Sequence, residues 1–312
     1  MKRLLSLVCI TVLSVTFGIS SAFASAENYV ALGDSLAAGQ TPYQEIDAGY
    51  SDLIAMRLGM MGQLNHYTKE LAFPGFTTTD VLERVRSEEA RTLLAHATLI
   101  TISAGANDLL RLVQVNPAAG TLTFAQLQVD YALNVARKNM ADLLAELKLR
   151  APNAKVFVMG YYFAYPNVHA TQKEGTNAQL IKLNTILQQQ TELAGMTYID
   201  VYDAFGMQAT NYLPNIADVH PNFEGYRQMA NAFLKAYSGS DRLAIATTEL
   251  PKPNPMTFQE ILKQQAESEA QSVEPKQETA SSVRNIQGFI GYATFIEKVK
   301  ANQLLQNSQP RT

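Results

Sequence analysis

The chain has little cysteine: Cys9 is the only one among 312 residues, and tryptophan is missing altogether. A single cysteine excludes a scaffold held by intrachain disulfides, and its position in an N-terminal apolar run argues against a thiol enzyme. The stability of the protein must therefore come from the packing of apolar side chains. With 47% hydrophobic residues, the chain has enough of them for a substantial core.

Clusters of basic residues are also missing. Lys and Arg number 25 against 28 Asp and Glu, which gives a formal net charge of −3 and a sequence pI of about 5.9. Proteins that bind nucleic acids concentrate positive charge on one face, because the phosphate backbone attracts it. We therefore expect no nucleic-acid partner.

The longest uncharged apolar run lies at the N-terminus. Two basic residues precede the run over residues 4–19, and small residues follow it at positions 22 and 24. This order is typical of a secretory signal peptide, and it predicts such a peptide over residues 1–26, cleaved near Ala24 or Ala26. A membrane-spanning helix needs about 20 apolar residues, and this run is shorter. We therefore expect a secreted protein without a firm membrane anchor after cleavage; an uncleaved anchor is the alternative.

Strand-like and helix-like patterns alternate from residue 27 to 238. Such alternation is typical of a parallel sheet with helices on both faces. The sequence therefore predicts one three-layer α/β/α domain, whose functional groups gather at the carboxyl ends of the strands. The predicted strands are 28–32, 66–72, 99–103, 155–160 and 196–201, and the predicted helices are 50–61, 80–85, 131–149, 178–194 and 223–237.

The composition changes beyond residue 239. Residues 239–285 contain several prolines and then many Gln, Glu, Ser and Ala, which predicts a polar, linker-like segment. Residues 286–312 regain apolar side chains, and we interpret them as an amphipathic segment that docks on the domain. A weak contact with a membrane or cell wall is the alternative for this segment.

A candidate nucleophile follows the first predicted strand. The sequence Gly33-Asp34-Ser35-Leu36 places Ser35 where a strand ends and a helix begins. Free backbone N–H groups at such a helix start can face a developing negative charge. The alternative is an ordinary capped helix, with Asp34 or Ser35 as the capping residue.

A candidate base with an acidic neighbour lies near the end of the domain. A serine hydroxyl becomes a good nucleophile when a base takes its proton, and the pKa of histidine suits that role near neutral pH. In Asp218-Val219-His220, the carboxylate precedes the imidazole by two residues and can orient it. A solvated surface turn is the alternative.

Two further turns follow predicted strands. Gly105-Ala106-Asn107-Asp108 offers the Asn107 amide as a hydrogen-bond donor to an oxyanion. In the turn at 73–76, Gly75 can present its N–H without a side chain in the way. Both segments also suit ordinary turns, because Gly, Asn, Asp and Pro favour turns.

These four blocks, in this order over residues 28–238, resemble the SGNH hydrolase superfamily, also called GDSL esterases and lipases. The resemblance implies a flavodoxin-like α/β/α fold with Ser35 as nucleophile and His220 as base. It also implies an oxyanion hole made by the Ser35 and Gly75 backbone N–H groups and the Asn107 side chain. It implies no metal or organic cofactor.

The chain departs from the family pattern at two places. The family acid usually lies three residues before the histidine, where Ala217 stands, so we assign the acid to Asp218; Asp200 and Asp203 are alternatives. The family also often has Asn a few residues before its glycine, and Leu71 and Ala72 stand there instead.

The sequence thus predicts a secreted serine carboxylesterase or lipase that works through an acyl-enzyme on a small-molecule or lipid ester. One alternative is an O-acetyl esterase that acts on acetylated polysaccharide. The other is a non-catalytic surface or carbohydrate-binding protein. We expect residues 107–125 and 161–176 to border the substrate pocket, with Tyr161, Tyr162 and Phe163 lining it.

Overall fold

The computed structural model describes residues 26–257, 259–261 and 263–264. The predicted signal peptide, apart from its last residue, and the predicted amphipathic segment 286–312 lie outside these ranges. Across these ranges, none of the helices combines the length and the apolar character that crossing a bilayer requires.

The described chain contains seven strands, and five of them form one parallel sheet. The strand order in this sheet is β2-β1-β3-β6-β7, and the remaining two strands form an antiparallel hairpin. In chain order the strands are β1 (Glu27–Gly33), β2 (Leu64–Ala72), β3 (Leu99–Ser103), β4 (Gln114–Asn116), β5 (Thr121–Thr123), β6 (Lys155–Met159) and β7 (Thr197–Ile199).

Helices cover both faces of the sheet. One group contains the packed pair α2 and α9, and the other contains α6 packed on α3, α4 and α7. In chain order the helices are α1 (Ser35–Ala38), α2 (Tyr50–Met60), α3 (Thr78–Arg86), α4 (Glu88–His96), α5 (Ala106–Leu110), α6 (Gln126–Arg150), α7 (Ala170–Leu193), α8 (Tyr202–Phe205) and α9 (Phe223–Ser238). All five residues of β3 are buried, as expected for the centre of a sheet covered on both sides. The predicted three-layer α/β/α fold is confirmed.

Several elements differ from the sequence-based prediction, among them α7 and the β4–β5 hairpin. Helix α7 begins at Ala170 rather than 178, because the His169 side chain accepts a hydrogen bond from Thr171 N–H and caps it. Its first turns are polar and carry no apolar periodicity. The β4–β5 hairpin was not predicted, because each strand has three residues and only Leu122 among them is buried.

The start of the segment predicted to be linker-like, 239–285, packs on the domain. The Ile245 side chain is 1% exposed, and Asn231 of α9 pairs with both backbone groups of Ile245. Further along, Met256 pairs with Ile46 in an isolated antiparallel bridge. These contacts depend on single apolar side chains and on hydrogen bonds to the backbone. The overall composition of the segment therefore does not predict them.

Candidate active site

Ser35 stands at the carboxyl end of β1, as its sequence position predicts. Asp34 caps α1 by accepting a hydrogen bond from Leu36 N–H at 3.0 Å, so Ser35 is the first residue of the helix. Gly33 makes this sharp junction possible: its φ is +133°, and a Cβ there would lie 2.0 Å from the Ser103 carbonyl oxygen of β3. Ser35 is 7% exposed, so the nucleophile candidate is shielded except at the site itself.

The imidazole of His220 contacts both Ser35 and Asp218. Its Nδ1 lies 2.6 Å from Asp218 Oδ1, and its Nε2 lies 2.7 Å from Ser35 Oγ. Because a carboxylate only accepts hydrogen bonds, Nδ1 carries the hydrogen, and Nε2 accepts from the Ser35 hydroxyl. The structure therefore brings together the three residues that sequence reasoning had selected, although Ser35 and His220 are 185 positions apart in the chain.

The two-residue spacing between acid and histidine is explained by a local turn. Asp218 Oδ1 accepts from the backbone N–H of His220 at 2.8 Å as well as from its ring. The carboxylate thereby folds back onto its own turn, as short acidic side chains commonly do. Asp200, one of the alternative acids, instead accepts a hydrogen bond from Tyr202 N–H at the start of α8.

Asn107 lies beside the turn that contains Gly75. Its Nδ2 donates to the Phe76 carbonyl oxygen at 2.9 Å, which uses one of its two amide hydrogens and leaves the second for a ligand. Arg111 donates to the Gly75 carbonyl at 2.6 Å and holds the same turn. Ser35, Asn107 and His220 all line one cavity, whereas Gly75 is not among the described residues that line it.

Asp108 fixes the position of Asn107. Its carboxylate accepts from the backbone N–H of Thr78 at 2.9 Å and from the Thr78 hydroxyl at 2.7 Å. These bonds join α5 to the first residue of α3, and burial raises the pKa of Asp108. Asn107 and Asp108 thus have separate roles: Asn107 lines the cavity, and Asp108 anchors α5 to α3.

A buried hydrogen-bond network lies beneath the nucleophile. Besides capping α1, the Asp34 carboxylate accepts from the Ser103 hydroxyl at 2.8 Å and from the Tyr161 hydroxyl at 2.5 Å. Burial raises the pKa of Asp34, and these three donors oppose that rise. Sequence reasoning gave Asp34 only a capping role and Ser103 only a place in the predicted strand 99–103.

The cavity beside Ser35 has a volume of about 830 Å³, including its part open to solvent. The predicted pocket residues Tyr161, Tyr162 and Phe163 line it, as do several residues between 107 and 125. Val129 of α6 and the α7 residues Gln179, Leu180 and Leu183 also line it, and these lie outside the ranges that sequence reasoning assigned to the pocket. Within the described ranges, no group of three or more His, Cys, Asp or Glu residues is arranged to hold a metal ion.

Comparison with known proteins identifies the family of the chain. The sequence profile of the GDSL-like lipase/acylhydrolase family matches residues 31–228, which is more than half of the chain. The chain belongs to this family. Lipases and acylhydrolases are ester hydrolases, so membership of the GDSL family places the chain in that broad class of enzymes. A search of curated protein sequences gives no match.

Solved structures of several lipases and esterases share the fold. The lipase Lip_vut3 from a goat rumen metagenome is 21% identical, with a TM-score of 0.53 over 69% of this chain and 98% of that one. A catalytic mutant of Axe2, an acetylxylan esterase from Geobacillus stearothermophilus, is 18% identical, with a TM-score of 0.52 over 68% and 94%. The extracellular lipase of Streptomyces rimosus is 18% identical, with a TM-score of 0.51 over 68% and 98%. At these identities the likeness concerns the fold.

Proposed function

We propose that this GDSL-family chain is a secreted serine carboxylic ester hydrolase that works through an acyl-enzyme. The observation that carries the proposal is the continuous hydrogen-bonded series from Ser35 Oγ to His220 Nε2 at 2.7 Å and from His220 Nδ1 to Asp218 at 2.6 Å. A nucleophile, a base and an orienting carboxylate in this order are what serine-based acyl transfer requires. Their opening into a cavity supplies room for a substrate.

In the proposed reaction, Ser35 Oγ attacks the ester carbonyl carbon while His220 Nε2 takes the hydroxyl proton. Asp218 stabilises the imidazolium that forms. His220 then gives the proton to the alcohol oxygen as the bond from that oxygen to the carbonyl carbon breaks, and the acyl group stays on Ser35. A water molecule, deprotonated by His220, releases the acid and restores the Ser35 hydroxyl.

The negative charge on the carbonyl oxygen needs donors on the side opposite His220. We assign this role to the second Asn107 amide hydrogen and to the backbone N–H groups of Ser35 and Gly75. In the described chain, no hydrogen bond uses either of these N–H groups as its donor. The Asn107 assignment is further supported by its place in the cavity wall beside Ser35.

The proposal is tested with Ser35→Ala, assayed on p-nitrophenyl butyrate and with a fluorophosphonate probe. We expect hydrolysis to fall to background and labelling to disappear, while circular dichroism stays unchanged. Ser238→Ala is the matched control, because Ser238 is exposed on α9 and its hydroxyl bonds only to backbone groups of Leu234 and Ser240 nearby in the chain. Near-normal turnover in Ser35→Ala would contradict the proposal by removing Ser35 from the mechanism. A wild-type protein that neither hydrolyses the ester nor reacts with the probe would also contradict it and would favour a non-catalytic binding protein.

Secretion is proposed from the sequence of residues 1–26 alone. Expression of the full chain in a bacterial host, followed by mass determination of the protein in the medium, tests it. A mature N-terminus near residues 25–27 is expected. Retention of the intact chain in the cell membrane would instead support an uncleaved anchor.

A further inference from the structure

The cavity beside Ser35 has walls made largely of apolar side chains that are only partly buried. Leu109 and Leu110 of α5, Val113 after it, Phe124 before α6 and Leu180 of α7 all line the cavity and all keep part of their surface accessible. Apolar surface left open to water is unfavourable, so a concave site lined in this way favours an apolar occupant.

Polar side chains in the same wall are already engaged within the protein. The Thr176 hydroxyl donates to the Gln172 carbonyl at 2.8 Å, and the side-chain amides of Gln179 and Gln126 donate to each other at 3.3 and 3.2 Å. Beyond the catalytic groups, the Tyr165 hydroxyl is the one polar side-chain group of the described wall without such a partner. This wall is therefore poorly equipped to bind a sugar, which requires many hydrogen-bond partners.

The far wall of the cavity is held in place by the β4–β5 hairpin. Leu122 of β5 packs with Phe163 and Val168 in a small cluster separate from the main core, and Phe124 and Leu180 pack against that cluster. The Gln172 side chain binds both backbone groups of Leu122, at 2.9 and 3.2 Å. The apolar wall is thus preformed, which favours binding because no ordering has to accompany it.

The position of the catalytic groups indicates which half of an ester enters this cavity. The leaving alcohol oxygen must face Nε2 of His220, which protonates it. The acyl half is then assigned to the part of the cavity wall where Asn107 and the apolar residues of α5 follow one another. We propose, resting on the proposed esterase function, that the cavity binds an aliphatic acyl chain longer than acetyl, and that Leu180 is a specificity-determining residue for it.

The experiment compares two isomeric esters, ethyl hexanoate and hexyl acetate, by titrating the acid released by the purified enzyme. Both contain the same atoms and differ only in the side of the carbonyl that carries the long chain. Each methylene group transferred from water into an apolar site is worth about a threefold to fourfold gain in kcat/KM. Four additional acyl methylenes therefore predict a preference for ethyl hexanoate on the order of a hundredfold.

A matched pair of variants tests the wall itself. Leu180→Gln places an amide in the cavity, and we expect it to lower the ratio of kcat/KM for ethyl hexanoate over hexyl acetate about fourfold to fifteenfold, the effect of one or two methylenes. Ile181→Gln makes the same kind of change one residue along α7 at a side chain that is 48% exposed and outside the cavity. This control is expected to keep the ratio of the wild type.

The outcomes separate this inference from the function on which it rests. A preference for hexyl acetate, a ratio near one, or equal ratios in the two variants would overturn the acyl-chain assignment while the esterase proposal stands. A preference for acetyl esters of every alcohol would do the same and would favour the O-acetyl esterase alternative. Absence of hydrolysis together with absence of Ser35 labelling would overturn both.

Discussion

Replacing Tyr161 by Phe removes one hydroxyl from beneath the nucleophile and leaves the aromatic ring in place. That hydroxyl donates to Asp34 Oδ2 at 2.5 Å, whereas the other two donors to the carboxylate, from Leu36 and Ser103, bind Oδ1. In the described structure, Oδ2 is then left without a donor in a fully buried place. A hydrogen bond to a charged group contributes about 1.5–3 kcal/mol, so the free energy of unfolding should fall by that amount near neutral pH.

The size of this loss depends on pH in a defined direction. Burial raises the pKa of Asp34, so the folded state holds the proton more tightly than the unfolded chain does. The stability that this proton provides is present in acid and is lost as the pH rises through the raised pKa. Tyr161 opposes the rise by stabilising the carboxylate. Without it the pKa of Asp34 rises further, and Tyr161→Phe is more destabilising near neutral pH than in acid.

Urea unfolding of Tyr161→Phe, followed by circular dichroism at neutral and mildly acidic pH, measures both effects. Tyr131→Phe on α6 is the matched control, because Tyr131 is 72% exposed and should lose almost nothing. A loss below about 0.5 kcal/mol near neutral pH, which is typical of a surface substitution, would refute the reasoning. An equal or larger loss in acid would show that Asp34 is not the group that Tyr161 stabilises.

Three further predictions follow from the geometry. Asn107→Ala should lower kcat on p-nitrophenyl butyrate about 10²–10³-fold with little change in KM, and an unchanged kcat would remove it from the oxyanion site. Asp218→Asn should lower kcat at neutral pH by about 10⁴, because the amide does not hold the imidazole in the required tautomer; a loss of less than tenfold would contradict that role. Ile245→Ala should reduce the free energy of unfolding, measured in urea, by about 2–5 kcal/mol, whereas a neutral effect would mean that residues 241–257 add no stability.

Much of the fold was predictable because a parallel strand buried on both faces is a short, nearly continuous apolar run in the sequence. The run 99–103 is entirely apolar or small, and it forms the fully buried β3. Strand and helix alternation then fixes a parallel sheet with few possible connections. The hairpin at 114–123 was not predictable in the same way, because its short strands are stabilised by Gln172 of α7 and by a small cluster under it. These are tertiary contacts, and no local pattern encodes them.

The site was predictable to the extent that its residues follow strands. Ser35 and Asn107 each come directly after a buried strand, where a parallel sheet brings functional groups to one edge. Asp218 and His220 were identified by the chemistry of an adjacent acid and base. Tyr161 was expected only as a pocket residue, since its bond to Asp34 joins side chains 127 positions apart and depends on how β1 and β6 flank β3.

The segment that follows β6 connects the two halves of the Ser–His pair. Gly160 passes so close to Tyr198 that a Cβ would lie 2.2 Å from its hydroxyl oxygen, and Asn184 of α7 bonds to both backbone groups of Tyr161. From this fixed position, Tyr161 donates to Asp34 beside the nucleophile, and Tyr162 donates to the Val219 carbonyl beside the base at 2.7 Å. The loop that carries the base has no strand of its own to hold it at the sheet edge. Tyr161 and Tyr162 therefore link the turn of Ser35 to the loop of His220, and they do so together with Asn222, which bonds to Asn211 and Tyr212 on the other side of that loop.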